Sequence, residues 1–395
     1  MLKRGYMKIK SQDFLKKENN ILVLNIILRE GPISRADIAR LTDMSPTSAS
    51  RIVASLCDSG LIKEISIIDK DIGRKGNYYV PNENAVLSFG VEIDKELIRI
   101  GLMDFVGKFI LQKTYSHDNS DPQETIGFIA EEIKRIIQVN ALDPSCIAGI
   151  CVGLPGVIEH TSGHVELSAQ LKWKGVKLSE ILSEKISLPV YADNELKLKG
   201  FSEYIEIGEP AIENMVILGF GSGVGSALIS KGEIYRGKAN FSGEIGHTIA
   251  DPFGAYCPCG NFGCLQTYIA EPFLLAEASK RKKVESIQEL VSEAENGEAW
   301  ADKILDKAVT YAAVAINNTV CTFNPDVIVL AGSLIENHPF IRERIIERYK
   351  SMVWPPAKKT FEVRITETKN FGVVMGAAKS VQQLFIKNID FDKGV

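Results

Sequence analysis

Apolar positions along this chain switch between helical and strand periods, and the first 85 residues are wholly of the helical kind until a terminal hairpin. Ile21, Leu22, Leu24, Ile26, Ile27 and Leu28 predict a buried helix over Ile21 to Arg29, ended by Gly31 and Pro32. Ser34 then reads as an N-cap with Asp37 at the third helical position, opening a helix to Asp43 that buries Ile38 and Leu41. After a turn at Met44, Ser45 caps and Pro46 starts another helix, in which Ala49, Ile52, Val53 and Leu56 share one face. Its other side shows Thr47, Ser48, Ser50 and Arg51 near the N-terminal end. Strand-like runs at 61–65 and 78–80 flank the glycine-bounded basic tip Gly73 to Gly76, which holds Arg74 and Lys75.

Beyond residue 86 the period shortens. Leu87 to Ile93 and Leu97 to Asp104 alternate as paired strands around the polar break Asp94 to Glu96, and Gly107 makes the next turn. A helix from about Gln123 to Val139 leads to a buried strand, Ile147 to Val152. Met215 to Leu218 predicts another strand, and Ser226 to Ile229 a second one after the glycines at 219, 221, 223 and 225. A dinucleotide fingerprint requires a helix there, so these glycines belong to a strand–turn–strand hairpin. Ala301 to Cys321 is a long apolar helix, Gly372 to Phe385 a last one, and the tail Ile386 to Val395 is expected to fray. Strand–helix alternation of this kind implies an α/β body of sheets covered by helices.

With 395 residues, two or three domains are expected, and no run of about 18 apolar residues or leader segment opens a route to a membrane. A soluble cytoplasmic protein is the expectation. The net charge of −4 conceals an asymmetry. Residues 1–85 hold 14 Lys and Arg against 10 Asp and Glu, net +4, which leaves −8 on the remainder. Six of those basic residues fall within 1–17, a stretch that reads either as an arm for phosphate contacts or as disordered. Capped helix, tight turn, capped helix and basic hairpin, in that order, read as a winged helix-turn-helix over 1–85. Arg35, Thr47, Ser48, Ser50, Arg51, Arg74 and Lys75 are its candidates for contact with double-stranded operator DNA.

The densest chemistry lies at Ser242 to Gln266. Cys257, Cys259 and Cys264 stand at C-x-C-x4-C spacing, with His247 ten residues upstream. Four soft ligands within 18 residues fit a closed, structural, tetrahedral zinc site with no position left for water. Glu244, three residues before His247, is placed to share a polar ligand with it.

This stretch closely resembles the signature of the ROK family, which contains sugar kinases and sugar-responsive transcription regulators. Gly243 to His247 matches its G-E-x-G-H, and Cys257 to Cys264 its C-x-C-G-x-x-G-C. The head resembles the reader of ROK repressors, where S-R-x-x-[IL]-A-x-x-[TG]-x-[ST] is typical and Ser34 to Ser45 follows it. The resemblance implies two actin-like (RNase H-like) lobes with a ligand between them: lobe 1 over 86–205, completed by a C-terminal helix at 371–387, and lobe 2, with the zinc site, over 206–370. It also implies a homodimer or homotetramer.

Kinases of the family carry D-x-G-G-T-K on the first hairpin, where this chain reads Glu92 to Leu97, with Asp94 and Glu96 facing the place of the phosphates. Two carboxylates are the wrong sign for a triphosphate. Against the kinases' E-N-D-A-N-A-A-A-L-G-E, Asp193 to Glu203 puts Glu195 at the position of the catalytic aspartate; an earlier register would put Asp193 there. Gln266 replaces a glutamate and Gln170 an asparagine. The resemblance therefore implies a sugar- or polyol-responsive repressor without catalytic residues, its effector held by Gln170, Asn194, Glu195, Glu244, His247 and Gln266. The alternative is an ATP-dependent sugar kinase with an added DNA-binding head.

Overall fold

The computed structural model describes residues 12–68 and 75–391. Three helices, Gln12–Glu30, Arg35–Thr42 and Pro46–Asp58, precede an antiparallel hairpin of Ile62–Ile68 and Lys75–Pro81, to which Ile33–Ser34 adds a short third strand. The caps form where the sequence predicts them: Ser34 Oγ accepts from the Asp37 N–H at 3.2 Å and Ser45 Oγ from the Ser48 N–H at 3.1 Å. Each such cap contributes about 1 kcal/mol. Leu24, Ile27, Ile38, Ala49, Val53 and Leu56 meet in a solvent-free core. This is a winged helix-turn-helix.

Two expectations for the head fail. Leu41 is 55% exposed, because the inward face of its helix runs through Ile38 and Ala39 and the helix stops at Thr42, with none of the described residues laid over Leu41. Lys75 is not in the wing tip but opens the second strand opposite Ile68. Arg74 and the side chain of Lys75 lie outside the described residues.

The body holds two five-stranded sheets of one design. In the first, Leu87–Ile93, Leu97–Met103 and Phe109–Ser116 form an antiparallel meander, and Ile147–Leu154 then Val190–Asn194 add in parallel on the other side of Leu87–Ile93. In the second, Asn214–Phe220, Val224–Ser230 and Glu233–Tyr235 form the meander, and Val327–Ala331 then Glu362–Ile365 add in parallel. Val327–Ala331 is buried at every position, as a central parallel strand must be, whereas the edge strand Phe109–Ser116 alternates half-buried and exposed. A small ribbon, Val157–Glu159, His164–Ser168 and Trp173–Val176, hangs from the first sheet. The whole is a two-lobed, actin-like (RNase H-like) α/β architecture.

Two helices join the lobes. Glu195–Ile207 lays Phe201 on Met215, Ile217, Ala227 and Ile229 of the second sheet. The last helix, Gly372–Asn388, covers the first sheet along Leu87–Ile93. They pack on each other through Leu198, Val373, Ala377 and Val381. The expected fraying at 386 is not what the chain does: the helix continues to Asn388, and Ile386 and Ile389 are buried in the core of the head beside Val86 and Phe105. Apolar side chains at the end of a helix stay ordered when another unit covers them.

Candidate functional site

Backbone geometry shapes the loop that follows the second sheet's meander. Gly243 has φ 102°, and a Cβ there would stand 1.9 Å from the carbonyl oxygen of Ser226, so only glycine lets the chain pass that strand. The Ser226 N–H donates to Gly243 O at 2.7 Å and the Leu265 N–H to Thr248 O at 2.8 Å. The result brings one ligand atom from each of His247, Cys257, Cys259 and Cys264 within 4.8 Å of one another. The sulfurs of Cys259 and Cys264 are 3.6 Å apart, close to the roughly 3.8 Å that separates thiolates on a tetrahedral zinc ion. Cys257 and Cys264 are buried, His247 and Cys259 exposed. The Asn261 backbone N–H holds the Cys259 thiol down at about 7, while burial pushes Cys264 up to about 12. A bound cation removes that mismatch by displacing the protons. The residues form a possible metal-binding cluster, and the donor set fits zinc. Gln266 Nε2 donates to Cys257 Sγ at 3.1 Å, tying the cluster to what lies beneath it.

Beneath it is a cleft of about 540 Å³ between the two sheets. Gln170, Asn194, Glu195, Glu244, His247 and Gln266, the six positions singled out in the sequence, all line it. His247 and Gln266 therefore belong to cleft and metal cluster at once. Gln170 reaches across from the ribbon, its Nε2 3.1 Å from Ser222 Oγ at the tip of the second hairpin. Asn194 is already occupied. As N-cap of Glu195–Ile207 its Oδ1 accepts from the Leu196 and Lys197 N–H groups at 3.0 and 3.3 Å, and its Nδ2 donates to Gly156 O at 3.2 Å.

Glu195 is not occupied in this way. Its residue is half-buried, but Oε2 is closed off from solvent and has no hydrogen-bond partner among the described residues. Burial pushes its carboxyl up to about 8, and the charges of Glu244, Glu92 and Asp94 act in the same direction. Lys197, two residues on, is buried with Nζ 2.5 Å from Asn240 O, and burial depresses its pKa. Asn240 Nδ2 also donates to Ile158 O at 2.9 Å and Asp193 Oδ1 at 3.2 Å, and Arg236 pairs with Asp193. Segment 236–240 of one lobe thus grips strand and ribbon of the other. Arg236 and Asn240 lie in a stretch with no periodicity, and nothing in the sequence singles them out.

Two of the cations that line the cleft are paired with carboxylates. Arg99 Nη1 binds Glu92 Oε2 at 2.8 Å, with both side chains largely buried. Glu336 Oε1 accepts from Lys199 Nζ at 2.5 Å and from the Gly332 N–H at 2.9 Å. The exposed turn residue Asp94 accepts from its neighbour's N–H.

On the head, Thr47 and Arg51 are exposed and Ser48 and Ser50 half-buried along the start of Pro46–Asp58. Arg35 is placed differently. Its guanidinium lies 5.1 Å from the centre of the Tyr79 ring and 3.7 Å from Glu64, bracing the helix against the wing strands.

The ROK family profile matches residues 88–384, and a profile described as winged helix-turn-helix DNA-binding matches 17–63. The chain belongs to the ROK family. Among ROK relatives, the xylose repressor of Bacillus spizizenii is 28% identical over 380 residues, covering 96% of this chain and 99% of that protein. The N-acetylglucosamine repressor of Escherichia coli O157:H7 is 26% identical over 342 residues, 84% of each. A solved ROK transcriptional regulator, a homolog of the E. coli MLC protein, superposes with a TM-score of 0.80 at 22% identity over 94% of this chain and 97% of its own. That last likeness concerns the fold.

Proposed function

We propose that this ROK protein is a sugar-responsive repressor of carbohydrate-metabolism genes that acts in the cytoplasm. The observation that carries the reading is the match over 96% of the chain, head included, to a repressor named for xylose, joined by one over 84% to a repressor named for N-acetylglucosamine. In this reading the N-terminal half of Pro46–Asp58, with Thr47, Ser48, Ser50 and Arg51, enters the major groove of operator DNA, and the wing with Arg74 and Lys75 meets the backbone beside it. Zinc on His247, Cys257, Cys259 and Cys264 fixes the loop that presents Glu244 and His247 to the cleft. A sugar or polyol held by Gln170, Glu195, Glu244, His247 and Gln266, with Asn194 setting the helix start behind them, biases the lobes toward one closure. In a homodimer or homotetramer that closure changes the spacing of two reading heads, which operator half-sites sense.

Phosphoryl transfer is not part of this reading, because Glu92, Asp94 and Glu336 stand at the phosphate entrance with Arg99 and Lys199 already neutralised. The test is direct. DNA fragments selected from a random pool are bound by the full chain and titrated with a sugar panel by fluorescence anisotropy; one sugar is expected to change the affinity by about 10-fold or more. Indifference to every sugar rejects the effector role. Sugar-dependent ATP turnover in a coupled assay rejects the non-catalytic one.

A further inference from the structure

We propose that Arg35 is a positioning residue of the DNA-reading head: it sets the angle of the wing against the helix pair and contacts neither phosphate nor base. The proposal rests on DNA reading by the head and deepens it. Ile33 and Ser34, the two residues before Arg35, pair with Tyr79 and Tyr78 of the wing. The backbone thus delivers Arg35 to the wing at the point where the helix leaves it. Its guanidinium stands 5.1 Å from the centre of the Tyr79 ring, within cation–π range, and 3.7 Å from Glu64 Oε2. Tyr79 is fully buried opposite Glu64 in the hairpin register, and its O–H donates to that same oxygen at 2.9 Å. Burial and that bond push the hydroxyl up to about 12, which keeps it a donor. Asn77 Nδ2 donates to the other carboxylate oxygen. Glu64 therefore gathers the first residue of the helix and two residues of the facing strand at one point. The recognition helix adjoins the same point. At Cys57, in the last turn of Pro46–Asp58, burial raises the thiol, the charge of Glu64 adds to this and that of Arg35 opposes it.

Electrostatics opposes a second role for Arg35 on the DNA. A guanidinium that swung to a phosphate would leave Glu64 with only its two neutral donors, a full negative charge facing a polyanion. Held in place, Arg35 cancels that charge. The other arginine of the same helix is engaged in a similar way. Arg40 Nη2 lies 2.7 Å from Asp37 Oδ1, on the carboxylate that also accepts from the Ser34 hydroxyl at 2.7 Å. Arg51, on the recognition helix, is exposed and has no ion pair among the described residues. The first helix uses its cations inside the head, and the second presents one to the outside.

Salt dependence separates a brace from a phosphate contact, since each phosphate neutralised adds about 0.9 to the slope of log affinity against log salt. A DNA fragment selected from a random pool is titrated with the full chain by fluorescence anisotropy over a salt series. The double variant Arg35→Met, Glu64→Gln keeps the net charge and removes the brace. It is expected to bind about 5-fold more weakly at every salt concentration, with the native slope. Arg51→Met is the yardstick and should lower the slope by about 0.9. A double variant whose slope also falls by about 0.9 makes Arg35 a phosphate contact and overturns the proposal. Native affinity throughout overturns it as well. Hydroxyl-radical footprints at saturating protein add a readout that general destabilisation does not move. The double variant should keep protection over the recognition helix and lose it on the flank beneath the wing; uniform loss counts against the brace. Should that variant lose its thermal transition, Arg35→Lys carries the comparison, because it keeps the charge and lacks the planar fork. It is expected to bind about 3-fold more weakly with the native slope, and native affinity overturns the proposal. A native chain that selects no fragment removes the DNA reading and this proposal together.

Discussion

The leading hairpins of the two body sheets hold equivalent places in the fold and carry opposite chemistry. In the first, Leu87–Ile93 turns through Asp94, Lys95 and Glu96 into Leu97–Met103. In the second, Asn214–Phe220 turns through Gly221, Ser222 and Gly223 into Val224–Ser230. Topology does not explain the contrast, since the strand orders agree. What each tip touches does. Residues 94–96 are exposed and are bonded to His117 and Asn119 through their carbonyls, which leaves their side chains free to be acidic. At Gly221 a Cβ would stand 2.6 Å from Ser333 Oγ, and that hydroxyl is held at 2.5 Å by Glu271. Packing thus accounts for the glycine at 221. The first hairpin is held by charge and the second by close contact and the loop of the Cys/His cluster.

The largest test of that contrast is Cys257→Ser. Losing a buried ligand should strip the metal from the cluster and lower the Tm by about 10 °C or more, read by elemental analysis and thermal unfolding. A variant with native metal content and Tm would show that the second hairpin does not depend on the loop. Next is Arg99→Ala, which leaves Glu92 buried without its partner and should cost about 3 kcal/mol in urea unfolding. Glu92→Gln added to it should recover part of that loss. Third, Gly221→Ala is expected to destabilise by about 1–3 kcal/mol through overpacking, and Asp94→Gly by about 0.5 kcal/mol or less. Equal costs would break the comparison.

A further effect is in pH. The Glu195 carboxyl moves from its ordinary 4.5 to about 8 in the fold, so the folded chain holds an extra proton between those values. Its contribution to stability is complete below about 4.5 and is lost as pH rises toward 8. The Tm of E195Q relative to the native chain should therefore climb from pH 5 to pH 8, and a flat difference would remove the buried-acid description.

Much of this arrangement was legible in the residues because local rules govern it. Ser34 and Ser45 cap as their side chains dictate, the alternation from Leu87 pairs as strands, and Gly219 to Gly225 forms a hairpin since no helix pattern follows. The cysteine spacing converges because the intervening glycines permit it. What escaped is set by contacts between distant segments. Leu41 looked like core until the helix ended beneath it, and Lys75 looked like tip until register with Ile68 made it strand. Arg35 stacks on Tyr79, and Arg236 and Asn240 clasp Asp193 across the lobes, pairings that no period or motif announces.

The burial of Ile386 and Ile389 against Leu24, Ile27 and Val86 has a consequence for biogenesis. A ribosome releases the head first and these two side chains some three hundred residues later. During that interval the nascent reader lacks part of its apolar lining, and a polypeptide cut short near its end delivers a head with an open seam.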